Sequence, residues 1–231
     1  MSNHKDTAEA ARIRAAVLHS SASLFLEKGF ADTSVREIAQ MAGIGKSMLM
    51  YTFESKEDIL LQLVDYVLDG QFTAAKRLVQ GLTDDPILFY ATETALQLHL
   101  AESSESIRNL YATAYTLPKT SEYISKAIAQ QLPGIFGAYL PDLEPKDFYE
   151  LEIATGGIIR SYMSVPCTLY FTIERKVARF LQAALRVYRI PEEKINEAIS
   201  FVAQFDYPTI ARQTVAQLLM ILSNIKGDGH E

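Results

Sequence analysis

Apolar residues recur at helical spacing along the whole chain, and no stretch keeps the two-residue alternation of a half-buried strand. An all-α fold is therefore expected. Local punctuation sharpens this near the N-terminus. Ser34-Val35-Arg36-Glu37 reads as a capping box, in which the serine hydroxyl accepts the amide three residues on and the glutamate carboxylate accepts the cap amide. The short helix it opens carries Val35, Ile38, Ala39 and Ala42, and must stop near Gly43, since a tight turn there needs positive φ. A second short helix is expected over residues 44–51. Ser55 caps a longer amphipathic helix with Ile59, Leu60, Leu63, Val67 and Leu68 inward, reaching about residue 80. Ahead of the pair, a first helix over 8–28 would turn Ile13, Ala16, Val17, Ser20 and Leu24 inward, with Gly29 as its left-handed stop.

Beyond Gly81, Asp85-Pro86 reads as cap and first helical residue of a helix reaching about 101. Further helices are expected over 106–116, 120–139 with Pro133 kinking or breaking it, 145–164, 172–188, 191–205 and 208–225, with a flexible loop at 141–145 and a flexible tail at 227–231. The 231 residues exceed the usual single-domain size of about 100–150. The expected division is residues 1–54 and a larger helical domain over 55–231. With 48% hydrophobic and 22% charged residues, the composition excludes disorder.

Two short helices joined by a glycine turn and packed on a longer first helix form a tri-helical helix-turn-helix unit, whose second short helix can enter the roughly 12 Å major groove of B-DNA. Gly45 and Ser47 are small enough to let that helix approach a phosphate. Lys46 and Tyr51 supply donors, Lys56 a cation at the start of the next helix, and Ser34 and Arg36 lie at the start of the supporting helix. Sequence reading would fall to Lys46, Ser47, Met48 and Met50. Bulk charge does not help: the formal net charge is −6, and the first 58 residues hold seven basic side chains against eight acidic. Any positive field must come from the placement of Arg36, Lys46 and Lys56. A helical protein-interaction module without sequence-specific DNA binding is the alternative such near-neutrality leaves open. Gly43-Ile44-Gly45-Lys46-Ser47 also resembles the end of a phosphate-binding loop, but that pattern needs glycine where Gln40 stands and a strand before it.

Leu24-Phe25, Lys28-Gly29-Phe30, Thr33-Ser34-Val35, Ile38-Ala39, Ala42-Gly43, Phe53, Ser55-Lys56 and Leu60 together resemble the signature of the tetracycline-repressor (TetR) family of transcriptional regulators, over roughly residues 11–60. The resemblance implies that Ser34, Lys46, Ser47, Tyr51, Thr52 and Lys56 touch DNA, while Phe30, Ile38, Leu49 and Phe53 are structural. Ser47 replaces a frequent glycine, Met50 a frequent tyrosine and Thr52 a tyrosine or histidine, so Tyr51 is expected to carry more of the phosphate contact. The resemblance further implies a C-terminal effector-binding and dimerisation domain. The partners are then double-stranded operator DNA, a small-molecule effector and a second copy of the chain, with the homodimer interface placed in the last three helices.

For the effector, the candidates are His99, Tyr111, Tyr115, Tyr123, Arg160, Tyr162 and Met163. Phe136, Tyr139 and Tyr170 could add to the same amphipathic pocket. Arg160 is the one charge within 153–173, and a buried charge needs a partner, such as Glu93, Glu102, Glu152 or an anionic ligand, whereas simple exposure at a turn needs none. That stretch has the length of a membrane span, but Gly156, Gly157 and Pro166 interrupt it, so a buried helix and no membrane association are expected. No histidine shows metal-ligand spacing, no nucleophile elbow or Cys/His pair is visible, and Glu150 and Glu152 lie on different faces of a helix. No metal, cofactor or enzymatic activity is expected. A lone Cys167 and a start without an uninterrupted apolar run point to the cytoplasm.

Overall fold

A computed structural model describes the backbone of residues 2–224 and the side chains of 9–220. The tail at 227–231 and the side chains of His4 and His230 lie outside the described residues. Among the described residues there are twelve helices and no strand. They are α1 (Ser2–Lys28), α2 (Val35–Met41), α3 (Lys46–Thr52), α4 (Lys56–Val79), α5 (Pro86–Glu102), α6 (Glu105–Ala114), α7 (Pro118–Ala129), α8 (Leu132–Phe136), α9 (Pro145–Ser164), α10 (Ile173–Val187), α11 (Glu192–Val202) and α12 (Tyr207–Asn224).

The expected caps are present. Ser34 Oγ accepts the Glu37 amide at 3.2 Å while the Glu37 carboxylate accepts the Ser34 amide at 2.8 Å. Ser55 accepts the Asp58 amide, and Asp85 accepts those of Ile87 and Leu88 with Pro86 at the first position. Gly29 and Gly43 take φ of +88° and +71°, closing the turns after α1 and α2. Two boundaries differ from expectation. The first helix begins at Ser2. Gly45 caps α3 rather than lying inside it. The break expected near Pro133 is present: α7 ends at Ala129, and Pro133 sits in the first turn of α8.

At seven residues each, α2 and α3 are far below the roughly 12–15 needed for an isolated helix to hold in water. Packing must supply their stability. Ile38 and Leu49, with Phe53 just after α3, are buried in one cluster with Val17, Phe25, Ile59 and Leu60. Each such side chain contributes roughly 1.5–3 kcal/mol by leaving water. Helix α1 is buried over most of its circumference between Ala15 and Phe25, because α6 and α12 cover the side that α2, α3 and α4 do not. The second cluster is built around α5, where nearly every residue from Ile87 to Ala101 is buried beneath α4, α6, α8, α9, α10, α11 and α12. An apolar sequence without a polar stripe suits that central position. No helix among the described residues is long and apolar enough to cross a membrane.

Candidate nucleic-acid interface and effector cavities

Helix α3 has two unlike faces. Leu49 is 0% exposed and Tyr51, two residues on, is 90% exposed. Gly45, Lys46, Ser47, Met48 and Met50 share the exposed side, so the short rod after the Gly43 turn lies open along its length. Ser34 and Arg36 are exposed at the start of α2, although the Ser34 hydroxyl is engaged by Glu37 at 2.7 Å. Thr52 is half-buried and its hydroxyl donates to the Met48 carbonyl at 2.9 Å.

Lys56 stands half-buried at the start of α4. Its ammonium donates to the carbonyls of Phe30 and Thr33, the latter at 2.7 Å, and lies 4.3 Å from the Phe30 ring centroid. Such a lysine fastens the start of α4 to the loop after α1, and burial lowers its pKa. Glu37, Glu57 and Asp58 nearby are also engaged. Lys28 pairs with Glu37, whose carboxyl is held at about 2 by that bond and by Ser34. Lys119 donates to Asp58 at 2.6 Å, and its backbone amide to Glu57 at 2.7 Å, tying the first turn of α7 to that of α4. Pairing of this kind weakens the negative field beside α3 and leaves Lys46 and Arg36 as the exposed cations on α3 and α2, in a segment of near-zero total charge. The segment from Gln40 begins inside α2 and is not preceded by a strand, so the phosphate-binding-loop reading fails.

Of the seven effector candidates, two line a cavity. Tyr111 and Tyr115 face an apolar space of about 120 Å³ bounded by α1, α4, α5, α6, α7 and α12. The other five line neither this cavity nor the second, smaller one. His99 stacks on Tyr207 with ring centroids 4.7 Å apart, and burial pulls its pKa down to about 4. Tyr123 donates to Asp65 at the surface. Tyr162 packs against Phe171 and Phe180, and Met163 is buried in the core. Arg160 is exposed on α9 and makes no ion pair among the described residues. Of its expected partners, Glu102 is taken by Arg108 at 2.9 Å and Lys176 at 2.6 Å.

Glu93 and Glu152 instead line a second cavity of about 30 Å³ with Tyr90, Thr155 and Gln131. Gln97 and Tyr115 line both cavities. Gln71, fully buried on α4, lines the larger. Sequence reasoning passed over Gln71, Gln97 and the two glutamates as lining groups. A signal existed for two of them: Glu93 and Gln97 lie one helical turn apart on α5. No group of three or more His, Cys, Asp or Glu among the described residues could hold a metal ion.

Comparison with known proteins bears on the same segment. Residues 17–63 match the family described as bacterial regulatory proteins, tetR family. An uncharacterised HTH-type transcriptional regulator of Bacillus subtilis, YerO, is 26% identical over 162 residues, covering 64% of this chain and 54% of its own length. The HTH-type transcriptional repressor KstR2 of Mycobacterium tuberculosis is 34% identical over 94 residues, covering 38% of this chain and 46% of its own. The chain thus spans about half the length of the curated relatives it matches. The crystal structure of RolR in complex with resorcinol superposes with a TM-score of 0.63 at 15% identity, covering 85% of this chain and 96% of that one. At that identity the likeness speaks for a shared fold alone.

Proposed function

The chain belongs to the tetR family of bacterial regulatory proteins through residues 17–63, and on that premise we propose that it is a homodimeric, cytoplasmic transcriptional repressor, released from a pseudo-palindromic operator by a small-molecule effector. The observation that carries this reading is α3, whose apolar side is sealed by Leu49 and whose other side presents Lys46, Ser47, Met48, Met50 and Tyr51 to solvent. Residues 1–54 serve as the DNA-binding head and 55–231 as the sensing and dimerising body. In the dimer, two copies of α3 enter successive major grooves about 34–36 Å apart. Arg36, Lys46 and Tyr51 contact phosphates, Met48 and Met50 meet base edges, and Lys56 acts by holding α4 in place. The reading assigns no enzymatic activity, in keeping with the matched relatives, which are transcriptional regulators.

Release follows from how α4 is held. Its first turn is tied to the loop at residues 30–33 and to α7, while Leu60, Leu63, Val64 and Leu68 further along line the larger cavity beside Ala22 and Leu26 of α1. A ligand that fills this space displaces α4 against the head and changes the separation of the two copies of α3. By linkage, operator DNA then weakens effector binding by the same factor, for couplings typically of about 1–3 kcal/mol. For dimerisation, the outer side of α9 with the segment after it is a candidate surface beside the last three helices. Ile153, Val165, Leu169 and Tyr170 are exposed there, and a cluster of exposed apolar side chains marks an interaction surface.

Sequencing the genomic DNA captured by the purified protein tests the proposal. A recurrent pseudo-palindrome is the expected result. Capture with no preference over random DNA refutes the repressor and favours a helical interaction module.

A further inference from the structure

The two cavities share Gln97 and Tyr115 as a wall and differ in chemistry. The larger is lined by apolar side chains with Tyr66, Tyr111, Tyr115, Gln71 and Gln97 as its polar members, and the amide of Gln71, fully buried, has no protein partner at either its nitrogen or its oxygen. The smaller receives Glu93 and Glu152, which are 5% and 4% exposed. Between them, Gln97 Nε2 donates to the Tyr115 hydroxyl at 2.7 Å. No lysine, arginine or histidine lines either space.

Two buried carboxyl groups without a cation are a costly arrangement, because burial disfavours the ionised form and each charge opposes the other. Glu152 accepts the Thr155 hydroxyl at 2.9 Å. Glu93 has no hydrogen-bond partner among the described residues, although it faces the cavity. The free protein relieves the cost with protons: burial, with the charge of Glu152, pushes Glu93 to about 8, and burial, against bonds from Thr155 and Tyr188, pushes Glu152 to about 7. A cationic donor entering the cavity would take the place of those protons. Tyr90 and Tyr115 add aromatic faces at the same place.

We infer that the effector is an amphiphilic cation: a protonated amine seated between Glu93 and Glu152, with an apolar body running past Gln97 and Tyr115 into the larger cavity, where Gln71 takes one hydrogen-bonding group of that body. This rests on the ligand-responsive reading above and names the class of ligand. An anion finds no cation in either space and is repelled by whichever carboxyl is ionised. A neutral amphiphile fills the larger space but leaves the carboxyl pair without its counter-charge. A body long enough to reach both spaces breaks the Gln97–Tyr115 hydrogen bond, which links α5 to the segment joining α6 and α7.

The test is calorimetric titration of the full-length, DNA-free protein near neutral pH with octylammonium, 1-octanol and octanoate. Octylammonium should bind at least about tenfold more tightly than octanol, with octanoate weakest. Glu93→Gln and Glu152→Gln, checked for folding by thermal melting, should each cost octylammonium about tenfold and leave octanol unchanged. Should either variant fail to fold, the charge series on the natural protein decides alone. Octanol or octanoate binding as tightly as octylammonium, no binding of octylammonium, or a preference that survives both replacements overturns the inference. Adding octylammonium to the operator complex separates the two readings. If it binds the free protein but does not weaken operator binding, the ligand-release mechanism fails while the cation site stands. Operator binding without any ammonium binding has the opposite meaning.

Discussion

Leu49 and Tyr51 lie two residues apart on one short helix and should respond in opposite ways to truncation. Leu49 is sealed among Ile38, Phe53 and Leu60, so Leu49→Ala leaves a cavity in the smaller core. Such replacements cost roughly 2–5 kcal/mol, a large part of a net stability of about 5–15 kcal/mol. For a chain of this size each kilocalorie moves the midpoint by about 2–4 °C, so Tm should fall by roughly 4–20 °C. Tyr51→Ala removes a side chain that touches mainly water, which should change stability by no more than about 0.5 kcal/mol. The same change strips an aromatic donor from the face presented to DNA, in both subunits of the dimer. Operator affinity should drop by about 1–3 kcal/mol per lost contact, roughly tenfold or more. Thermal melting by circular dichroism and fluorescence anisotropy on captured operator DNA give the two readouts. Equal loss of Tm in both variants, or a Tyr51→Ala protein that binds operator like the natural one, would refute the assignment of faces.

Ser34→Ala removes the hydroxyl half of the capping box and should cost about 1 kcal/mol in urea unfolding, recoverable with Ser34→Asn. Lys176 is 1% exposed and donates to Glu102 and the Val165 carbonyl, so Glu102→Gln leaves a buried ammonium without its counter-charge and should destabilise by about 3–5 kcal/mol. The buried acids predict a pH dependence of defined sign. Because Glu93 is raised to about 8, the folded state binds more protons than the unfolded one above the ordinary carboxyl value of 4.5, so stability is full below that value and declines as pH rises through 8. Glu93→Gln should flatten that decline in Tm. Glu102 acts oppositely: burial raises it, but the bonds from Lys176 and the Cys167 amide prevail and hold it at about 2, so its stabilisation is lost as pH falls from 4.5 towards 2.

What could be read from the chain alone was what is decided within a few residues. The Ser34–Glu37 box, the Gly43 turn, the Ser55 and Asp85 caps and Pro86 fix helix starts and stops by local hydrogen bonds, and each appears as expected. Exposure of Tyr51 also followed, since Leu49 and Phe53 set the buried side of so short a rod. The partners of Lys56 were not legible, because the carbonyls of Phe30 and Thr33 come from more than twenty residues upstream. The cavities were harder still. Their walls come from helices brought together only by the packing around α5, and no periodicity tells a tyrosine facing a void from one packed in the core. His99, Tyr162 and Met163 were candidates for their residue type and proved to be packing residues, while Gln71 drew no notice among apolar neighbours. Arg160, the lone charge of a long apolar stretch, faces outward because α9 buries only Phe148, Glu152, Thr155, Gly156, Ile159 and Met163.

The central claim, that α3 meets the charged backbone of DNA, is tested most directly by titrating operator binding with salt for the natural protein and for Lys46→Ala. If Lys46 neutralises a phosphate in each subunit, the logarithm of affinity should fall steeply with the logarithm of salt, and the variant should lose about two from the magnitude of that slope. A variant with unchanged affinity and slope, in a protein that still melts at the natural temperature, would contradict the account.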